Sequence, residues 1–327
     1  MGKFRKTTFD LLDIDRAGGS EQKFVDEYIT KPQKGHLAEI GITGSGKTNG
    51  LLYVHDLLDD YCPNNTTVVF DTGKSGELLL FAEYSKKPVI LHIPEGLDVT
   101  IPAGFKVPIE KRYFHPVPSV WNAVEEGCLN IIAITPFFLK PSIKSKVMAQ
   151  LFDELLFRAH RYELPAPMDI FIDEFQDVCP SRGVNLDHLH YSSGISMAMN
   201  LFKLRSLDFS LITAAQAWMD INAAARRSFQ WILARLGAYF DRDKPKISRY
   251  NGVFEKLPVD KGVLVFPDQW FPGVWNLPYY GNPSEYPRVY YKGLLKEAKD
   301  KDDQIKELQA ATKQMKAELE AMTARAN

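Results

Sequence analysis

The chain has 327 residues, 45% hydrophobic and 25% charged, with 40 Lys plus Arg against 41 Asp plus Glu. This globular composition excludes a mostly disordered chain, and the length allows a core that needs no disulfide or metal staple. The near-zero balance excludes a uniformly basic nucleic-acid coat but is compatible with a basic channel on a neutral surface.

In chain order, residues 1–34 are polar and mixed and read as an N-terminal arm. From there, short apolar runs rich in Val, Ile and Phe recur at residues 37–42, 67–70, 89–93, 129–134, 170–172 and 209–214. Continuous rather than alternating apolarity predicts strands buried on both faces, as in a parallel sheet. Between them, apolar residues at helical spacing predict helices over 49–60 and 143–162. Residues 94–118 hold Pro94, Pro102, Pro108, Pro116 and Pro118 and read as a proline-rich insertion with a short β excursion. The expected fold class is α/β, a mainly parallel central sheet flanked by helices across 35–290, with a helical or coiled-coil tail over 291–327.

Cys62, Cys128 and Cys179 lie far apart, which fits a reducing compartment and argues against a disulfide framework or a zinc ribbon. No run reaches the roughly 18 apolar residues of a membrane span. The basic start lacks the apolar stretch of a signal peptide. The expectation is a cytoplasmic protein without a membrane span.

The most specific feature is Gly41-Ile42-Thr43-Gly44-Ser45-Gly46-Lys47-Thr48, which fits the pattern G-x-x-x-x-G-K-[ST] between a predicted strand and a predicted helix. Glycines let the backbone curl until successive N–H groups face one cavity and bind phosphate oxygens. Lys47 then reaches the outer phosphates of ATP, Thr48 gives its hydroxyl to Mg²⁺, and the following helix aims its N-terminus at the anion. Gly73-Lys74-Ser75 lacks the upstream glycine and reads as a turn.

An apolar strand ending in Asp173-Glu174 supplies what such a loop lacks. At the carboxyl end of a parallel sheet, Asp173 is placed to hold Mg²⁺ and Glu174 to polarise the attacking water. A further strand ends in Thr213 and Gln216, and a glutamine there can hydrogen-bond the terminal phosphate or the water. His188 and His190, near Asp187, read as the polar start of a helix rather than a metal site.

The order of P-loop, Asp-Glu strand, then Arg205-Ser206-Leu207-Asp208 leading an apolar strand to Gln216 resembles the FtsK/HerA superfamily of RecA-like motor ATPases. Two positions depart from the family block: Asp208 stands where glycine is usual, and Ala215 where threonine is common. The resemblance implies a ring homo-oligomer, usually a hexamer, that translocates double-stranded DNA using ATP and Mg²⁺. It makes Arg205 the first choice for an arginine donated to a neighbouring subunit's site, ahead of Arg158, Arg161, Arg226, Arg227, Arg235 and Arg242. Lys140, Lys144, Lys146 and Arg182 are candidate DNA-backbone cations. A motor of this size, with neither an N-terminal barrel nor membrane segments, is similar to the genome-packaging ATPases of membrane-containing DNA viruses or to motors encoded by mobile elements. That setting adds a capsid or other protein as a candidate partner for the tail. The alternatives are an assembly or secretion ATPase for a protein filament, or an ATP-dependent switch acting through the C-terminal helix.

Overall fold

The computed structural model describes residues 21–72, 79–101, 107–137, 141–184, 188–241, 244–267, 273–281 and 290–293. The first twenty residues of the expected arm, the tail from 294 onward, the Gly73 turn, Lys140, Asp187 and Arg242 lie outside them, as do the side chains of Lys144 and Lys146.

The helices are α1 (Glu21–Phe24), continued by a π turn at Val25–Ile29, then α2 (Lys47–Tyr61), α3 (Leu80–Tyr84) and α4 (Pro141–His160). They are followed by α5 (His188–Ser206), α6 (Ala223–Ser228), α7 (Pro245–Ser248) and α8 (Asn251–Phe254). The strands are β1 (His36–Ile40), β2 (Thr66–Asp71), β3 (Val89–Pro94), β4 (Leu97–Thr100), β5 (Ile109–Phe114) and β6 (Leu129–Ala133). After these come β7 (Met168–Ile172), β8 (Phe209–Ala215), β9 (Phe229–Ala234), β10 (Lys261–Val265), β11 (Gly273–Asn276) and β12 (Tyr290–Gly293).

A ten-stranded sheet has the order β11-β10-β9-β1-β8-β7-β2-β6-β3-β5. Pairing is parallel from β9 through to β5, and β10 and β11 close the other end antiparallel. β1, β2, β3, β6, β7 and β8 are buried along their whole length, the burial that their unbroken apolar runs predict. Successive residues feed opposite faces. In β7, Ile170 and Ile172 join the core under α4 and α5, while Phe171 joins the one under α2. The result is a three-layer sandwich with two cores.

Helix α2 buries Leu51, Leu52, Val54 and Leu58 against the second core. Each such side chain stabilises by roughly 1.5–3 kcal/mol, which outweighs the ~1 kcal/mol that a glycine at position 50 costs a helix. Gly50 is needed there, because a Cβ would lie 2.1 Å from the Glu39 carboxylate on β1. On the other face, Leu151 and Leu155 of α4 and Leu201 of α5 are buried together.

The proline-rich stretch contains β4 and β5. Pro94 ends β3, and Pro108 and Pro116 flank β5, positions where a missing N–H leaves the ladder intact. β5 extends the main sheet beside β3, whereas β4 pairs with β12 in a separate two-stranded sheet. Sequence reading placed no strand after residue 214; β9 to β12 are additions from the structure.

Candidate active site

The loop after β1 leaves the sheet between its two neighbours. Gly41 N–H donates to Ala215 O at the end of β8 (3.2 Å), and Ile42 N–H to Leu236 O just past β9 (3.1 Å). A Cβ on Gly41 would lie 2.6 Å from both Arg235 Cβ and Ser45 Oγ, so no larger residue fits the exit. Gly44 (φ 79°) and Gly46 (φ 83°) occupy the left-handed region that glycine alone enters without penalty. Together these glycines give the curled backbone that the motif predicts. Lys47 opens α2, is 6% exposed, and donates from Nζ to Gly41 O (2.9 Å) and Ile42 O (3.1 Å). Its ammonium thus lies within the arch of its own loop. Thr48 and Ser45 are also buried, and Thr43 is exposed.

β8 lies between β1 and β7, which brings the ends of these strands to one edge of the sheet. Asp173, 3% exposed, follows β7 directly. Its Oδ1 accepts from Glu174 N (2.8 Å), and its carbonyl accepts from Thr72 Oγ1 (2.8 Å). Glu174 has φ 50°, a left-handed kink that carries the chain off the strand. Its Oε2 accepts from Gln216 Nε2 (3.3 Å) at the end of β8 and from Gln176 Nε2. The expected water-handling carboxylate and the expected sensor glutamine are therefore in direct contact. The hydroxyl of Thr48 and the carboxylate of Asp173 are hard oxygen donors, the donor chemistry Mg²⁺ takes alongside phosphate and water.

Glu39 and Arg235 lie beneath the loop, fully buried, with Arg235 Nε 3.3 Å from Glu39 Oε1. Burial pushes the Glu39 carboxyl up to about 8, a rise that Arg235 and Lys47 offset only in part. Arg235 points inward, and at 1% exposed it cannot serve a neighbouring subunit, which removes it from the finger candidates. A charge inside the apolar run before the P-loop was the sequence signal for Glu39, since a buried acid needs a partner. Sequence reading also missed Gln176, Thr72 and Asp71, whose Oδ2 accepts from Tyr291 Oη of β12 (2.6 Å).

A cavity of about 300 Å³ opens beside the loop, lined by Gly46, Asn49, Val259, Asp260, Pro278 and Tyr279 among others. The N-terminus of α2 and the chain before β10 and after β11 meet there.

Arg205 is exposed at the end of α5, with Nε donating to Gln33 O (3.2 Å). That is the opposite edge of the sheet, so Arg205 does not join its own chain's site. Arg158 is engaged with Glu154 and Arg161 with Glu163, while Arg182 and Arg227 are exposed. His188 starts α5 and His190 donates from Nε2 to Asp177 O (2.7 Å); among the described residues no metal-binding His/Cys/Asp/Glu cluster occurs. No helix among them is long and apolar enough to cross a membrane.

The departure at Asp208 has a physical account. Its φ is 65°, the conformation that makes glycine favourable, and Oδ1 accepts from Gln33 N (2.7 Å). The side chain offsets the strain with a bond that glycine cannot make.

The fold is α/β, a mainly parallel central sheet flanked by helices, as the sequence leads one to expect. No protein-family model and no curated protein sequence matches the chain. Among solved structures, it is similar to the genome packaging NTPase B204 from Sulfolobus turreted icosahedral virus 2, with 10% identity, a TM-score of 0.45, and coverage of 76% of this chain and 98% of that one. It is also similar to the pCW3 conjugation coupling protein TcpA (12% identity, TM-score 0.43, 77% of this chain and 63% of that one). ATPases 2 and 3 of EssC from Geobacillus thermodenitrificans share 13% identity at a TM-score of 0.36, over 76% of this chain and 40% of that one.

Proposed function

We propose that this chain hydrolyses ATP with Mg²⁺ and acts as a ring motor, a hexamer by the family resemblance, that translocates double-stranded DNA, with genome packaging as its setting. The observation that carries the hydrolytic part is the strand order β1-β8-β7, which sets the P-loop, Gln216 and the Asp173-Glu174 pair along one sheet edge. In this reading the loop amides and Lys47 hold the phosphates, and Thr48 and Asp173 hold Mg²⁺, which when bound neutralises charge on the terminal phosphates. Glu174 takes up the proton of the attacking water as general base. Gln216 shares the Glu174 oxygen, so a phosphate that draws the glutamine away frees the carboxylate for water. The cavity bounded by Asn49, Asp260 and Tyr279 receives the nucleoside end.

Translocation of DNA rests on the resemblance of the block from Arg205 to Gln216. Arg205 faces away from its own site, which is compatible with donation to a neighbour. The test is steady-state ATP hydrolysis with and without long double-stranded DNA, with Glu174→Gln alongside. Several-fold stimulation by duplex, lost in the variant and weakened by salt, is expected. Hydrolysis indifferent to DNA overturns the motor, and ATP binding without hydrolysis replaces it with a switch.

A further inference from the structure

The guanidinium of Arg235 is buried under the P-loop and is bonded almost entirely to backbone. Nε and Nη2 donate to Ser45 O (3.2 and 3.0 Å), Nη2 also to Gly46 O (3.3 Å) and to Val259 O (2.8 Å). Its own backbone N–H is fixed to Ile40 O on β1 (2.8 Å), so the side chain starts from a rigid strand end. The Glu39 carboxyl on β1 faces it, with Oε1 3.3 Å from Nε.

A trans peptide is planar, and its C=O and the next residue's N–H point in opposite directions. Tying the Ser45 and Gly46 carbonyls to one guanidinium therefore turns the N–H groups of Gly46 and Lys47 the other way. A donor on each carbonyl also polarises its peptide and strengthens the opposite N–H as a donor. Only a planar fork reaches carbonyls in several directions at once; a lysine ammonium, a point charge on a flexible stem, does not. Gly46 lacks a Cβ for the same reason, since one would lie 2.5 Å from Nη2.

We propose that Arg235 is a positioning residue of the phosphate site: it holds the Ser45 and Gly46 carbonyls from behind so that the Gly46 and Lys47 amides are pre-aimed at the anion, with the buried Glu39 carboxyl beside it. The proposal rests on the nucleotide-binding reading of the loop. Through Val259 the same guanidinium links the loop to the wall of the neighbouring cavity, so the two parts of the site are set by one side chain.

The test is binding of ATP, ADP, AMP and inorganic tripolyphosphate to wild type, Lys47→Ala, Arg235→Lys, Arg235→Met and the double variant Glu39→Gln/Arg235→Met, with Tm measured for each. The double variant replaces the buried carboxyl that Arg235→Met leaves without its partner. The expected result is a tenfold or greater loss for ATP, ADP and tripolyphosphate in each Arg235 variant. AMP should change less, and the double variant should recover Tm without recovering affinity. Wild-type affinity for tripolyphosphate in a folded Arg235 variant, recovery of affinity together with Tm, or an equal loss for AMP and ATP would each overturn the proposal. Failure of the underlying reading looks different: wild type binds none of the phosphates, or Lys47→Ala binds them as well as wild type, and the inference falls with it.

Discussion

The two edges of the central sheet both bury polar groups, but they hold them differently. At the amino edge, Lys34 Nζ is 2.8 Å from Asp169 Oδ1, and Asn65 and Ser210 donate to the same carboxylate. Burial alone would raise the Asp169 pKa, yet Lys34, Ser210 and Asn65 hold it below the ordinary value. His36 completes that edge, joining Leu201 O and Leu211 N. At the carboxyl edge, Lys47 is held by carbonyls of its own loop and Glu174 by two neutral amides. An ammonium on a carboxylate is hard to displace, whereas carbonyls and amides yield to a charged ligand. At one edge the bonds above join charge to charge; at the other they join charge to neutral groups.

The sharpest way to break this comparison is at the carboxyl edge. Glu174→Gln should lower hydrolysis by about 10²–10⁴-fold, the usual worth of a general base, while ATP binding persists in a filter or fluorescence assay. Loss of binding alongside hydrolysis would mean that Glu174 holds the ligand rather than the water. Next in size, Lys34→Met should leave Asp169 buried without its cation and cost about 3–5 kcal/mol in urea unfolding. Nucleotide affinity of the folded protein should not change, and a fall in affinity would show that the edges are coupled.

The pH dependence separates the edges further. Glu39 is raised from 4.5 to about 8 by burial, so the folded state binds its proton more tightly and stability falls as pH rises from about 4.5 to 8. Glu39→Gln should flatten that slope in Tm scans. His36 is lowered from 6.5 to about 4, chiefly by burial, so stability should fall as pH drops from 6.5 towards 4. Protonation at Nδ1 would cost it the bond from Leu211 N–H. The smallest effect belongs to Asp208→Gly, which relieves the left-handed strain but loses the bond to Gln33 N, and should shift stability by no more than about 1 kcal/mol. Asp208→Ala keeps the strain and loses the bond, and should be the less stable of the pair.

The fully buried strands were legible because burial on both faces leaves runs of Val, Ile and Phe, and the P-loop because its glycines and Lys47 serve a local geometry. β10 and β11 carry weaker patterns, such as Lys261-Gly262-Val263-Leu264-Val265, where a basic residue and a glycine dilute the apolar run. β9 was legible in principle, since Phe229, Trp231, Ile232 and Leu233 form a plain apolar stretch. The brace under the loop was not legible. Arg235 is 190 residues from Ser45 in the chain, and only the pairing of β9 with β1 brings them together. A buried arginine and an exposed one read alike in sequence, which is how Arg235 came to be grouped with the finger candidates.

The outer strand β5 has a consequence for how copies of this chain can meet. Glu110 and Lys111 are exposed there, and Arg112 bonds Glu110 and Glu125 across its rim. A charged rim discourages another backbone from zipping onto the open ladder. Crowding at high concentration should therefore not propagate the sheet from molecule to molecule at this end, which leaves β5 free to end the sheet without seeding fibrils.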